Sequence, residues 1–174
     1  MGRGEGEREI EMTHEMLVKR ARSWLFARCP VVVSELASGR ETADAIGLGH
    51  GQSMLIECKV SRSDFLADGK KFFRQSHEYG MGNLRYYLCP SGLIKADEIP
   101  ENWGLLYCAE RKISIIKEAR HLAKDHQAEV SLLISILRRV HACPDAVSVK
   151  FYNIETKNRS TVLLRSNTAP FRAA

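Results

Sequence analysis

The chain has 174 residues, of which 44% are hydrophobic and 27% are charged, as expected of one domain with a substantial core. The N-terminal stretch "MGRGEGEREIEM" is too polar for a signal peptide and no apolar run is long enough to cross a membrane, so we expect a cytoplasmic protein. A formal net charge of +5 and a pI near 9.0 favour an anionic partner, with nucleic acid as the first candidate. Many proteins are equally basic for no specific reason, so charge alone does not decide the function.

The first predicted elements are a helix and three strands. Residues 13–28 have apolar side chains at helical spacing behind Thr13, a suitable N-cap. The segments 31–36, 42–48 and 53–60 then have the apolar content of strands and are joined by glycine-containing turns. This pattern predicts an antiparallel meander that follows a first amphipathic helix.

The rest of the chain predicts a helix from Asp64 to about Tyr79, capped by Ser61 or Ser63, and then further strands and helices. The predicted elements are strands at 83–90, 103–110 and 112–117, a helix at 128–142, and a terminal hairpin around 154–159. This order predicts a single α/β domain over residues 1–174, with a mixed central sheet flanked by helices. The ends, 1–11 and 166–174, contain little to bury, and we expect them to be flexible.

The cysteines and histidines form no metal-ligand pattern. The five cysteines are an odd number without close spacing, which favours reduced, mostly buried thiols. The six histidines are scattered, and structural or surface roles are the simplest explanation for each.

The third predicted strand ends with an acid and an amine on the same face. Because side chains alternate along a strand, Met54, Ile56 and Cys58 share an apolar face, while Glu57 and Lys59 point to the other side. We therefore expect a sheet that is buried on one side and charged at one end of the other.

Turn geometry predicts which acids lie beside Glu57. A turn centred on residues 50–51 places Asp44 opposite Glu57, and a turn centred on 39–40 places Glu35 opposite Asp44. The three carboxylates would form one rung across three strands.

Neighbouring carboxylates repel each other unless they hold a cation or share a proton. Oxygen ligands select a hard ion, so the rung predicts Mg²⁺ or Mn²⁺ held by Asp44 and Glu57, with Glu35 and the backbone carbonyl of Cys58 as further ligands. Lys59 could orient or deprotonate a water molecule and offset charge on a phosphate. Two simpler interpretations stay open: Glu57 and Lys59 could be a solvated pair, and Glu35 could be a surface residue.

These residues resemble a known catalytic motif. Asp44 in "TADAIG" followed by Glu57 and Lys59 in "IECK" is similar to the motif of the PD-(D/E)XK nuclease superfamily, although Ala43 replaces the usual proline. The stretch "LIECKVSRSDFLAD" is most similar to MmcB-like DNA-repair proteins, and the likeness spans roughly residues 13–110. The resemblance implies a restriction-endonuclease-like core and a metal-dependent DNA nuclease that acts in repair, recombination or mobile-element processing.

The helix predicted after the motif adds a polar stripe. Asp64, Asp68, Lys71, Gln75 and Tyr79 fall on one side of a helix at 3.6 residues per turn. "QSHEY" also resembles the Q-x-x-x-Y element of some nucleases in the superfamily. This resemblance implies that Gln75 takes part in catalysis and that Tyr79 helps to position the DNA strand.

Basic residues near the motif are the candidates for phosphate contacts. They are Arg62, Lys70, Lys71, Arg74 and Arg85, with Tyr79 beside them. The alternative function is a non-catalytic DNA-binding or protein-interaction module of the same fold. A homodimer or a repair or recombination partner protein is compatible with either function, and so is a subunit active only in such an assembly.

Overall fold

The computed structural model describes residues 12–36, 41–49, 51–71, 74, 76–110 and 112–139. Its elements are α1 (His14–Phe26), β1 (Val31–Ser34), β2 (Ala45–Leu48), β3 (Ser53–Cys58), α2 (Arg62–Asp68), a 3₁₀ turn (His77–Tyr79), β4 (Leu84–Pro90), β5 (Gly104–Cys108), β6 (Ile113–Lys117) and α3 (His126–Arg139). Several predictions lie outside the described residues: the flexible ends 1–11 and 166–174, the hairpin around 154–159, and the positions of Gln75 and Cys143.

The strands form one six-stranded mixed sheet in the order β1-β2-β3-β4-β5-β6. The pairs β1–β2, β2–β3 and β5–β6 are antiparallel, whereas β3–β4 and β4–β5 are parallel. Helices pack on the sheet, so the predicted α/β class with a mixed sheet is confirmed. No helix in the described ranges is long and apolar enough to cross a membrane.

The predicted strand registers are also confirmed. Ser34 pairs with Ala45 across β1 and β2, and Ala45 pairs with Ile56 across β2 and β3. These are the registers that the turns at 39–40 and 50–51 predict. The acids of the predicted rung, Glu35, Asp44 and Glu57, lie one residue beyond the paired ends.

Helix α1 covers one face of the sheet. Thr13 caps it by accepting a hydrogen bond from the Met16 N–H at 3.3 Å, as the sequence predicts. Its apolar stripe is buried against alternate side chains of the central strands, and the cluster includes Leu17, Ala21, Leu25, Met54, Ile56 and Cys58. The four described cysteines are free and buried, as expected.

The opposite face of the sheet is buried as well. Leu55 of β3 packs in a second cluster with Phe65 of α2, Leu132 and Ile136 of α3, and Trp103. Every residue of β3 is therefore buried, as is usual for strands inside a partly parallel sheet with helices on both sides. The expectation of a sheet buried on one side only was wrong.

Helix α2 is shorter than predicted. Ser61 caps it by accepting a hydrogen bond from the Asp64 N–H, but the helix ends at Asp68. The next two N–H groups, of Lys70 and Lys71, donate to carbonyls only three residues back, so the chain tightens and leaves the helical path after Gly69. The prediction of one helix that continues to Tyr79 was therefore wrong, and the predicted five-residue polar stripe does not exist as one helix face.

A buried polar cluster anchors the first turn of α3, and Lys124 just before it, at the start of β3. Ser53 Oγ donates to Glu129 Oε1 at 2.6 Å, and the Gly82 N–H donates to the same oxygen at 3.0 Å. Lys124 Nζ lies 2.7 Å from Glu129 Oε2. This cluster sits at the opposite end of β3 from Glu57, so it provides matched controls for the candidate site.

Candidate active site

The candidate site begins where β3 ends. Glu57 and Lys59 point to the same side, and Lys59 Nζ lies 3.5 Å from Glu57 Oε2. The Lys59 N–H donates to the Leu88 carbonyl at 2.9 Å, which extends the pairing with β4 by one residue and holds the lysine backbone in place. Both side chains are almost fully buried, with exposed fractions of 2% for Glu57 and 5% for Lys59.

Asp44 joins this group from the neighbouring strand. Its Oδ2 accepts a hydrogen bond from the Cys58 N–H at 2.7 Å, so the carboxylate lies against the backbone between Glu57 and Lys59. Its side chain is 19% exposed, which makes it more accessible than Glu57. The structure thus brings together three predicted site residues: Asp44, Glu57 and Lys59.

Lys59 is surrounded by carboxylates. Besides Glu57, its Nζ lies 3.3 Å from Asp68 Oδ1 and 3.8 Å from Asp64 Oδ1. Burial acts to lower the pKa of Lys59, but these acids outweigh burial and raise the pKa above its ordinary value. Lys59 is therefore an ammonium group that donates hydrogen bonds and stabilises negative charge. It does not act as a base near neutral pH.

Arg74 lies inside the site, where it contacts three acids. Its Nε lies 2.7 Å from Asp68 Oδ2, one terminal nitrogen lies 2.7 Å from Glu41 Oε1, and the other lies 2.8 Å from Glu57 Oε1. All four side chains are buried. The expectation that Arg74 contacts DNA phosphates was wrong for this state, because its guanidinium is enclosed by protein. Arg85 is also buried and donates to backbone carbonyls.

Asp68 is the fixed anion of the site. Burial alone would raise its pKa, but Arg74, Lys71 and Lys59 hold the pKa well below its ordinary range. The Tyr87 hydroxyl donates to Asp68 Oδ2 at 2.8 Å, and Lys71 Nζ lies 2.6 Å from Oδ1. Asp68 is therefore ionised at all ordinary pH values.

The pKa of Glu57 shifts in the opposite direction to that of Asp68. Burial raises its pKa, Arg74 lowers it, and Asp44 raises it again through like charge, with a net result of about 7. Near neutral pH the group is divided between its neutral and ionised forms. A cation bound to the carboxylate would favour the ionised form.

Glu35 and His14 lie at the rim of the site. Glu35 adopts a positive φ of 51°, and its side chain is 59% exposed. His14 Nε2 lies 3.6 Å from Asp44 Oδ1 and 4.0 Å from Glu35 Oε1. No local pattern around His14 predicts this position, because only the docking of α1 on the sheet brings its first turn to β2.

The other predicted DNA contacts lie on the surface. Arg62 is exposed and forms a double hydrogen bond with Glu98. Lys70 is exposed, Tyr79 is 43% exposed, and Lys71 is partly exposed while it pairs with Asp68. Of these four side chains, Lys71 contacts the buried acids, through Asp68.

The donor set of the predicted metal site consists of oxygen atoms. Among the residues that the structure describes, no group of three or more His, Cys, Asp or Glu side chains is arranged to hold a metal ion. Two carboxylates and a backbone carbonyl, from Asp44, Glu57 and Cys58, nevertheless suit Mg²⁺ or Mn²⁺. Glu57 Oε1 is buried and makes no hydrogen bond within the described part of the chain, although a terminal nitrogen of Arg74 lies 2.8 Å from it. Burial raises the pKa of the Cys58 thiol, so its sulfur is not a thiolate ligand.

Comparison with known proteins supports the fold and does not bear on the activity. No family model matches the chain, and no curated protein matches it significantly. A solved structure of a protein of unknown function from Silicibacter pomeroyi is similar, with a TM-score of 0.59 and 24% sequence identity. The alignment covers 75% of this chain and 90% of that protein. The chain therefore shares its α/β fold with this protein of unknown function.

Proposed function

We propose that this chain is a metal-dependent deoxyribonuclease that hydrolyses phosphodiester bonds with Mg²⁺ or Mn²⁺. One observation carries the proposal: Asp44 and Glu57 from adjacent strands lie beside Lys59, a buried ammonium group that three carboxylates keep charged. Clustered acids next to a fixed cation suit the hydrolysis of a phosphate ester better than they suit simple DNA binding. Repair, recombination and mobile-element processing are the settings that the motif resemblance implies.

The residues have separate roles in this proposal. Asp44, Glu57 and the Cys58 carbonyl would hold the divalent ion, which supplies positive charge to a phosphate oxygen and lowers the pKa of a water molecule. Lys59 stabilises the negative charge that develops on the phosphoryl group. Asp68 keeps Lys59 in place and keeps it protonated.

The surface beside the site is suited to a nucleic acid backbone. Lys71 pairs with Asp68 of the site, Lys70 and Tyr79 are exposed, and the whole chain carries a formal charge of +5. Phosphate contacts from such residues position DNA without selecting its sequence. DNA is therefore the proposed partner.

One observation favours a second candidate, a non-catalytic DNA-binding or protein-interaction module of the same fold. The Glu57 carboxylate is 2% exposed and lies between Arg74 and Lys59, so two cations of the protein already neutralise it. In such a module the acids would serve only the internal charge network. A homodimer or a repair partner protein would then be the relevant ligand.

A cleavage assay separates the two candidates. Linear, nicked, branched and single-stranded DNA are incubated with the protein, with Mn²⁺ or with EDTA. We expect cleavage only with Mn²⁺, and we expect Lys59→Ala and Asp44→Asn to abolish cleavage while DNA binding persists. The matched control is Lys124→Ala, which removes another partly buried, paired lysine far from the site. If every DNA survives at high protein concentration while binding persists, the binding module replaces the nuclease.

A further inference from the structure

The three acids around Arg74 do not hold it equally. Its contacts with Asp68 and Glu41 are hydrogen bonds of 2.7 Å. A terminal nitrogen of Arg74 also forms an ion pair with Glu57 Oε1 at 2.8 Å, but Glu57 Oε1 makes no hydrogen bond within the described residues. The contact with Glu57 is therefore the one of the three that no directional hydrogen bond fixes.

The buried group has one unbalanced negative charge, but its own two cations repel an additional cation. Three acids and two bases are buried together, so one negative charge is left over when all of them are ionised: Glu41, Glu57 and Asp68 against Lys59 and Arg74. A divalent ion that binds Glu57 would face both neighbouring cations across a few ångströms of poorly solvated protein, where repulsion is strong. The repulsion decreases if one of the two cations moves away.

This inference rests on the proposed function. We propose that Arg74 is the resident counter-ion of Glu57, and that a divalent cation replaces it there. Arg74 then remains in contact with Asp68 and Glu41. Arg74 thus keeps a buried carboxylate paired in the metal-free protein, and it reduces the affinity of the site for the ion. It is a positioning residue and touches no substrate.

A tryptophan lies where it can report the exchange. The guanidinium carbon of Arg74 is 4.9 Å from the ring centroid of Trp103, which is fully buried and stacked on Tyr87 at 4.7 Å. The chain has two tryptophans, Trp24 and Trp103, so Trp24→Phe leaves Trp103 as the only one.

The first experiment titrates the full-length Trp24→Phe protein with Mg²⁺ while Trp103 emission and the melting temperature are recorded. We expect a saturable change in emission with the same midpoint as the thermal stabilisation, and we expect Asp44→Asn to abolish both. Thermal stabilisation without any change in emission would overturn the exchange and leave the proposed metal site intact. No thermal response at all would overturn the metal site, and the exchange with it.

The second experiment measures Mg²⁺ affinity by calorimetry in Arg74→Met. Removal of the resident charge should tighten Mg²⁺ binding roughly tenfold, because less repulsion opposes the ion. The control Lys124→Met breaks a comparable ion pair at the other end of β3 and should leave the affinity unchanged. Weaker or unchanged binding in a folded Arg74→Met protein would refute the exchange. If this variant does not fold, the Trp103 titration decides.

Discussion

Glu57 is the acid whose charge should cost the metal-free protein most. Burial raises its pKa from 4.5 to about 7 although Arg74 lies beside it. The folded state therefore keeps a proton that the unfolded state releases. The associated stability is present below about pH 4.5 and is lost as the pH rises to about 7. At about 1.36 kcal/mol per pH unit, the loss amounts to about 3 kcal/mol.

Glu57→Gln keeps the shape of the side chain but cannot ionise. Relative to wild type, its free energy of unfolding should therefore increase by about 3 kcal/mol between about pH 4 and pH 8 in EDTA. Urea denaturation of both proteins at both pH values measures this, and the difference between them cancels the titration of all other groups. Glu101→Gln, a change at an exposed acid, is the control and should show no such trend. A constant difference, or a glutamine variant that becomes relatively less stable at high pH, would refute the reasoning.

Three further predictions concern metal, DNA and backbone. In Asp44→Asn the side chain can still accept the hydrogen bond from the Cys58 N–H, but one repelling charge is lost, so this variant should melt at a higher temperature than wild type in EDTA. Only wild type should gain stability from Mg²⁺, by about 2.7 kcal/mol at a hundredfold excess over the dissociation constant. A lower melting temperature in EDTA, with no metal effect on either protein, would make Asp44 structural. Lys71→Ala should reduce the salt dependence of duplex binding by about 0.9 in the log–log slope without changing sequence preference, whereas salt-independent affinity would argue against DNA. Gly82→Ala should destabilise the fold by about 1–3 kcal/mol in urea, because Gly82 has φ +76° and its Cβ would lie 2.7 Å from Leu55 Cβ; unchanged stability would contradict this.

Local rules predicted the strands of the candidate site well. Side-chain alternation placed Glu57 and Lys59 on one side, and the centres of two tight turns gave the registers that bring Asp44 to Glu57. Both rules act over a few residues, so they can be applied without knowledge of the rest of the fold. They failed for the face of the sheet that carries Leu55, because α2 and α3 cover this face only after the chain has folded.

Arg74 could not be placed by the same rules. As an isolated arginine near the motif it suggested a phosphate contact, and only the tight turns after Asp68 carry it inward. Its partner Glu41 precedes β2 and shows no local pattern. A charge argument could have found the need for Arg74. Two acids, Glu57 and Asp68, become buried beside one lysine, and a second buried cation is then required.

The pattern of charges in the site also bears on why the cluster exists. A buried ion pair often contributes little more to stability than well-packed apolar side chains would, so five buried charges are not explained by stability alone. Within this cluster two carboxyl groups have opposite properties: Asp68 is held ionised, whereas burial and Asp44 bring the pKa of Glu57 to about 7. Environments that push the pKa values of neighbouring acids apart are typical of sites where the acids have different roles. A purely structural network would gain nothing from an acid that is half ionised near neutral pH, but a ligand that binds the ionised form would. A divalent cation is such a ligand, and Glu57 is the acid of this cluster that can still change its partner.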